Sequence, residues 1–327
     1  MHVIANRWYA LLTSAELQSS RPQGARRLGQ DLVFWRNTAG SVRVAIDACP
    51  HRGAKVSAGR MVNGCLECPF HGFQFADDGA CTFIPPHPDR TISPAMRLDT
   101  LPSREEHGFI WVWTGPEAAT DAPIPFFDFG DLSCAGSADA IPVRTHYTRA
   151  IENQLDYSHL PFVHRRTIGR FVTDVAREQF VETDGDVIRF GPSKDADALI
   201  EFIGPNIWRL RTGRAWQFLA FVPVDDDNML YYTRSYQGVV GVPGLSWLVG
   251  RMGRFFNRFI FAEDTAVVES QPAVETRLRM GEMLVPSDGP IIAYRRWREA
   301  NRTPFPPEKK GRTPTSTQED VVDKRTS

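Results

Sequence analysis

Two short loops carry the side chains best suited to chemistry. Cys49-Pro-His51-Arg-Gly53 is followed by Cys68-Pro-Phe-His71-Gly72, with sixteen residues between His51 and Cys68. Two thiols and two imidazoles offer a tetrahedral Zn²⁺ site or a [2Fe–2S] cluster with two histidines on one iron. The loops themselves favour the cluster. Each has a proline inside and a glycine after it, which suits rigid turns whose backbone N–H groups point at cluster sulfurs. The second runs on into Phe73-Gln-Phe75, an apolar strand able to shield the site. A zinc ribbon more often shows Cys-x₂-Cys pairs, and a zinc finger places its histidines on a helix.

A second group follows in Asp156-Tyr-Ser-His159-Leu-Pro-Phe-Val-His164, where the histidines stand five apart and the aspartate three before the first. Alone, such a pair is as compatible with core or surface histidines as with a metal. Asp156 alone reads as a helix-surface carboxylate. Downstream, Asp225, Asp226 and Asp227 read as a solvated turn between two β-like runs. Glu263-Asp264 follows a long apolar helical stretch, and neighbours on a helix point about 100° apart, so the sequence leaves open which of the two faces a site.

The spacing C-x-H-x₁₆-C-x-x-H, with CPHRG and CPFHGF, resembles the Rieske motif of bacterial non-haem iron oxygenases. D-x-x-H-x₄-H and E-D-x₄-E-x-Q resemble their mononuclear iron segments. The resemblance covers roughly residues 5–300 and is nearest in look to the vanillate and dicamba O-demethylase type. It implies that Cys49 and Cys68 hold one cluster iron and that His51 and His71 hold the other. It also implies a 2-His-1-carboxylate set of His159, His164 and Asp264 on Fe(II), with O₂ as co-substrate. Asp156 would bridge the cluster of one subunit to the iron of its neighbour within a homotrimer, and Asn153 and Glu152 would stand behind the ligands. A ferredoxin or flavin reductase would supply electrons. The reaction implied is monooxygenation or O-/N-demethylation of a small aromatic or alicyclic compound. The alternatives are cis-dihydroxylation of an arene and, in a different class, an electron carrier without oxygenase activity.

The rest of the chain must position these residues. Residues 1–115 show short apolar runs such as Leu32–Trp35 and Phe109–Trp113 between turn clusters, which predicts an all-β domain. A Pro- and Asp-rich stretch at 116–142 reads as a connector. Residues 143–302 mix β-like runs with helical spacing, so the whole is α+β. The catalytic part is expected as an antiparallel sheet flanked by helices, in a helix-grip (START-like) arrangement. A helix from Ile151 to His159 should stop at Pro161. A longer one over 244–270, with Leu248, Met252, Phe255, Phe256 and Phe259 at helical spacing, should border a sheet. The tail, 303–327, has the composition of a disordered segment.

Composition excludes other classes. With 38 basic and 39 acidic residues the net charge is −1, which gives no field for nucleic acid. Five cysteines, clustered and odd in number, argue against a disulfide framework; Cys65, Cys81 and Cys134 read as structural or free. The first residues, MHVIANRWYALL, lack the character of a signal peptide, and no run is apolar enough to span a bilayer, so a cytoplasmic protein is expected. Trp208, Trp216, Phe218 and Phe256 are candidates for a substrate wall, and Arg209, Arg211 and Arg214 for a substrate carboxylate, against the plainer roles of core and solvated strand face.

Overall fold

In this computed structural model, residues 1–302 are described except 19, 117–119, 131–132, 135–138, 173–178, 195, 197, 214 and 238–242; at 133–134, 171, 237 and 243–254 only the backbone is described. Arg214 and the 303–327 tail lie outside the described residues, as does the Cys134 side chain.

The N-terminal part holds three small antiparallel sheets. Turn chemistry fixes their hairpins. Asn63 and Gly64 both take positive φ (49° and 83°) between the paired strands Arg60–Val62 and Cys65–Glu67. That is the two-residue turn whose twist matches the flanking strands, and Asn-Gly supplies it with little strain. Strands Trp8–Thr13 and Phe109–Trp113 pair and are buried along their whole length.

The C-terminal part is an eight-stranded antiparallel sheet. Its Ala215–Pro223 strand explains the layering. Phe218, Ala220 and Val222 enter one core with Trp8, Phe109 and Trp111 of the N-terminal part. Leu219 and Phe221 point the other way, into a core with Tyr147, Ile151, Phe261 and Tyr294 from the helices. Alternation with period two, apolar on both faces, puts the sheet between the N-terminal sheets and a helical layer. The helices are α1 (Tyr147–Leu155), α2 (Leu160–Val163), α3 (Pro243–Val268) and α4 (Gly289–Ala300). Among the described residues no helix is long and apolar enough to cross a membrane.

Two expectations need correction. The 116–142 stretch is more than a connector, because Asp139–Val143 pairs with Met229–Gln237 at the edge of the large sheet. The first helix ends at Leu155, and Asp156 caps it with extended backbone (φ −95°, ψ 120°). Pro161 does not stop a helix; it lies in the first turn of α2, where a missing N–H costs nothing. The long helix α3 borders the sheet as expected, through Phe261 beside Tyr231. Phe255, Phe256 and Phe259 are more than half exposed, whereas Phe261, Asp264 and Val268 form the buried side. The side chains of Leu248 and Met252 are not among those described.

Candidate metal centres

The two Cys/His loops are built alike. The Cys49 N–H bonds to the Ala54 carbonyl, and the Gly53 N–H returns to the Cys49 carbonyl, both at 2.8 Å. In the second loop the Cys68 N–H bonds to Phe73 (2.8 Å) and the Gly72 N–H to Cys68 (3.1 Å). Each closing glycine has φ above 70°, the left-handed conformation that glycine adopts without a Cβ penalty. The folds of these turns bring the loops together, with His51 and His71 ring centroids 4.8 Å apart and His51 stacked on Phe73.

Cys49 and Cys68 are buried among Trp35, Val56, Leu66 and Phe75, while the imidazoles lie nearer the surface. Neither thiol is in a disulfide. Burial pushes the Cys49 thiol up to about 11, and the neighbouring Cys68 adds to the rise. Two buried thiols side by side, unbonded and facing two imidazoles, match the donor set of a cluster with sulfur ligands inside and nitrogen ligands outside. Cys65 and Cys81 stand apart from this set: Cys65 contacts the Thr82 hydroxyl, and the Cys81 thiol donates to the Phe83 carbonyl.

A second donor set forms where α1, α2 and α3 meet. His159 precedes α2 and His164 follows it, so one helical turn separates the imidazoles. Asp264 comes from the buried face of α3, and one donor atom from each residue lies within 4.8 Å of the others. The Asp264 Oδ1 is 3.1 Å from His164 Nε2 and 3.4 Å from His159 Nε2. Despite this closeness, Asp264 Oδ1 and His159 Nε2 are buried with no well-formed hydrogen bond. Buried lone pairs that converge without pairing are costly unless a cation satisfies them. The residues therefore fit a divalent metal held by two nitrogens and a carboxylate.

Polar groups hold each of these side chains from behind. Glu263 Oε2 is 2.9 Å from His164 Nδ1 and accepts a bond of 2.6 Å from the Thr167 hydroxyl. Gln154 Nε2 donates to Asp264 Oδ2 at 3.1 Å. Asp156 Oδ2 is 3.7 Å from His159 Nδ1, and its Oδ1 accepts from the Ser158 N–H and hydroxyl. Burial works against ionisation of Asp264, yet the two imidazoles overcome it and hold the carboxyl well below the usual range. Burial likewise opposes charge on His159, and Asp156 and Asp264 outweigh it, raising the imidazole to about 9.

Each sequence candidate thus has a place. Asn153 lies beside the set on α1, its Nδ2 buried and unpaired. Glu152 belongs to a buried ion pair with Arg295, not to the site. Asp225–Asp227 lie in the turn before Met229, with Asp225 Oδ1 accepting from Asn228. Arg209 pairs with Glu201 and sits over the Trp216 ring, so its charge is already matched. Trp208 and Phe218 are core, and Phe256 is exposed. A groove of about 700 Å³ runs between Asp139–Pro142 and α3, lined by Arg258, Phe261, Thr265 and Glu269 among others, and includes none of the three donors. The sequence reading missed Gln154, Thr167 and the backward-facing role of Glu263.

Comparison with known proteins covers the segments that carry the Cys/His loops and the histidines around α2. Residues 7–102 match the Rieske [2Fe-2S] domain, and residues 143–206 match the vanillate O-demethylase oxygenase C-terminal domain. Over these two ranges the chain is similar to the two parts of Rieske non-haem iron oxygenases. The first range holds both Cys/His loops and the second holds both histidines flanking α2. Among similar proteins, the dicamba O-demethylase oxygenase component of Stenotrophomonas maltophilia is 31% identical over 190 residues, 57% of this chain and 55% of that protein. The oxidoreductase NdmD of Pseudomonas putida is 38% identical over 128 residues, 39% of this chain and 21% of its own. The chain thus spans about half or less of the length of these curated relatives. Among solved structures, NdmB of Pseudomonas putida CBB5 superposes with a TM-score of 0.76 at 25% identity, covering 91% of this chain and 90% of that one. Dicamba monooxygenase bound to dicamba shares the fold, with a TM-score of 0.75 at 22% identity, covering 92% and 98%.

Proposed function

We propose that this chain is a terminal oxygenase that monooxygenates or O-/N-demethylates a small aromatic or alicyclic compound, using O₂ and electrons from a separate ferredoxin or flavin reductase. The observation that carries this reading is the convergence of His159, His164 and Asp264 in a chain that also has the paired Cys/His loops. Relatives named as dicamba O-demethylase and chloroacetanilide N-alkylformylase components favour demethylation over dihydroxylation.

In this reading Cys49 and Cys68 bind one iron of the cluster, and His51 and His71 the other. His159, His164 and Asp264 hold the mononuclear iron. When bound, the cluster passes single electrons and the mononuclear iron supplies the activation of O₂. The chain's own residues do the rest. Neutral imidazoles at His51 and His71 leave less negative charge around the cluster than thiolates would, which favours its reduction. His159, His164 and Asp264 would hold the metal with three donors and would leave coordination positions for O₂ beside a substrate. Asp156 orients His159 and, in a homotrimer, meets His71 of an adjacent chain, so that electrons cross a subunit boundary.

Iron analysis with visible spectroscopy tests the reading. Three irons per chain are expected, falling to two in Asp264→Ala with the cluster absorption intact. Two irons in the wild type would indicate an electron carrier, and a colourless zinc protein would overturn both centres. Substrate-dependent O₂ uptake with a surrogate reductase, across methoxy-aromatics, N-methyl compounds and plain arenes, then identifies the reaction.

A further inference from the structure

We infer that Glu263 is a positioning residue: clasped by the Thr167 hydroxyl, its carboxylate accepts the Nδ1–H of His164 and so presents the Nε2 lone pair to the metal position. This rests on the reading of His159, His164 and Asp264 as metal ligands.

The geometry is that of a clamp. Glu263 and Asp264 are neighbours on α3, so their side chains leave the helix about 100° apart. Glu263 Oε2 lies 2.9 Å from Nδ1 of His164, and Asp264 Oδ1 lies 3.1 Å from Nε2 of the same ring. Glu263 thus meets the imidazole at Nδ1 while Asp264 faces it at Nε2. A neutral imidazole carries one proton and one lone pair. A carboxylate at Nδ1 draws the proton there and leaves Nε2 free to ligate. The same bond fixes the ring plane and makes Nε2 more basic.

Thr167 makes the clasp specific. Its hydroxyl donates to Glu263 Oε2 at 2.6 Å, and its N–H bonds to the His164 carbonyl at 2.9 Å. One residue therefore ties the carboxylate to the backbone of the ligand it orients. His159 has no equivalent support, because Asp156 Oδ2 stands 3.7 Å from its Nδ1 and that nitrogen makes no hydrogen bond. The two imidazoles are held unequally, with His164 1% exposed and bonded at Nδ1.

The test uses the full chain with its cluster retained and the mononuclear site emptied by a chelator. Mn(II) binding is followed by electron paramagnetic resonance of the free ion. Glu263→Leu is expected to weaken Mn(II) binding by a factor on the order of 10 to 100, as for other residues that orient metal ligands. Glu263→Gln keeps an acceptor oxygen and should recover part of that loss. Thr167→Val, which leaves the carboxylate in place, should weaken binding less than Glu263→Leu. The cluster spectrum and the melting temperature of the metal-free protein should hold throughout, which separates positioning from a general structural role. Wild-type affinity in both Glu263→Leu and Thr167→Val, with binding abolished in Asp264→Ala, would overturn the role of Glu263 alone. Absence of Mn(II) uptake by the wild type would overturn the metal site, and Glu263 with it.

Discussion

Gln154 on α1 donates to Asp264 Oδ2 on α3, leaving the other carboxylate oxygen to face both imidazoles. The bond joins two residues 110 apart in the sequence. Removing the side chain in Gln154→Ala frees Oδ2 and lets the carboxylate rotate. A lost hydrogen bond to a charged group of this kind is worth about 1.5–3 kcal/mol. Iron affinity at the mononuclear site should fall about tenfold or more, measured by anaerobic titration, with the cluster unaffected.

Asp156 is bound locally through one oxygen only. Its Oδ1 is committed to the Ser158 N–H and hydroxyl, so the capped turn should survive Asp156→Asn. That variant should retain three irons per chain, yet lose substrate-dependent O₂ uptake, because only the acceptor facing His159 has changed. Coupled turnover close to wild type would rule out the bridging role.

Gly169 is required by close approach. A Cβ there would lie 2.1 Å from the Leu160 carbonyl oxygen and 2.8 Å from the His164 carbonyl. The backbone of α2 would have to move, and with it both flanking histidines. Gly169→Ala should cost about 1–3 kcal/mol of stability, as overpacking does, and lower the mononuclear iron content. Thermal melts and iron counts check both effects.

His146 gives the fold a pH dependence of its own. It is 1% exposed at the start of α1, with Nδ1 2.8 Å from the Thr148 hydroxyl. Burial, assisted by Arg298, lowers its imidazole to about 4. The unfolded chain therefore binds a proton near pH 6.5 that the folded chain refuses until about pH 4. Stability from this group is complete above pH 6.5 and is lost as pH falls through that window. The contribution is about 3 kcal/mol. His146→Asn, which keeps a capping side chain, should show a shallower loss of stability between pH 6.5 and 4 in denaturant titrations.

The cluster loops were legible because their chemistry is local. Cys, Pro, His and Gly fall within a few positions, and each turn closes on itself through its own glycine. The pairing of His159 and His164 was legible for the same reason. Asp264 was legible only through the resemblance, and its advantage over Glu263 depends on the rotation of α3, which tertiary packing sets. Gln154, Thr167 and Gly169 left no trace in spacing, since each acts on a residue of another segment or through contact between backbones. Pro161 was misread because proline ends a helix from within but begins one from its first turn. The aromatic stripe of α3 was visible as a stripe, but periodicity carries no information on which way a stripe points.

The single turn between His159 and His164 acts as a ruler. Its ends are set by helix geometry, where each added residue advances about 1.5 Å and rotates about 100°. Lengthening it by one residue would swing one imidazole away from Asp264 without disturbing any core residue. The segment between the two histidines therefore has a fixed length for any metal site built on both of them.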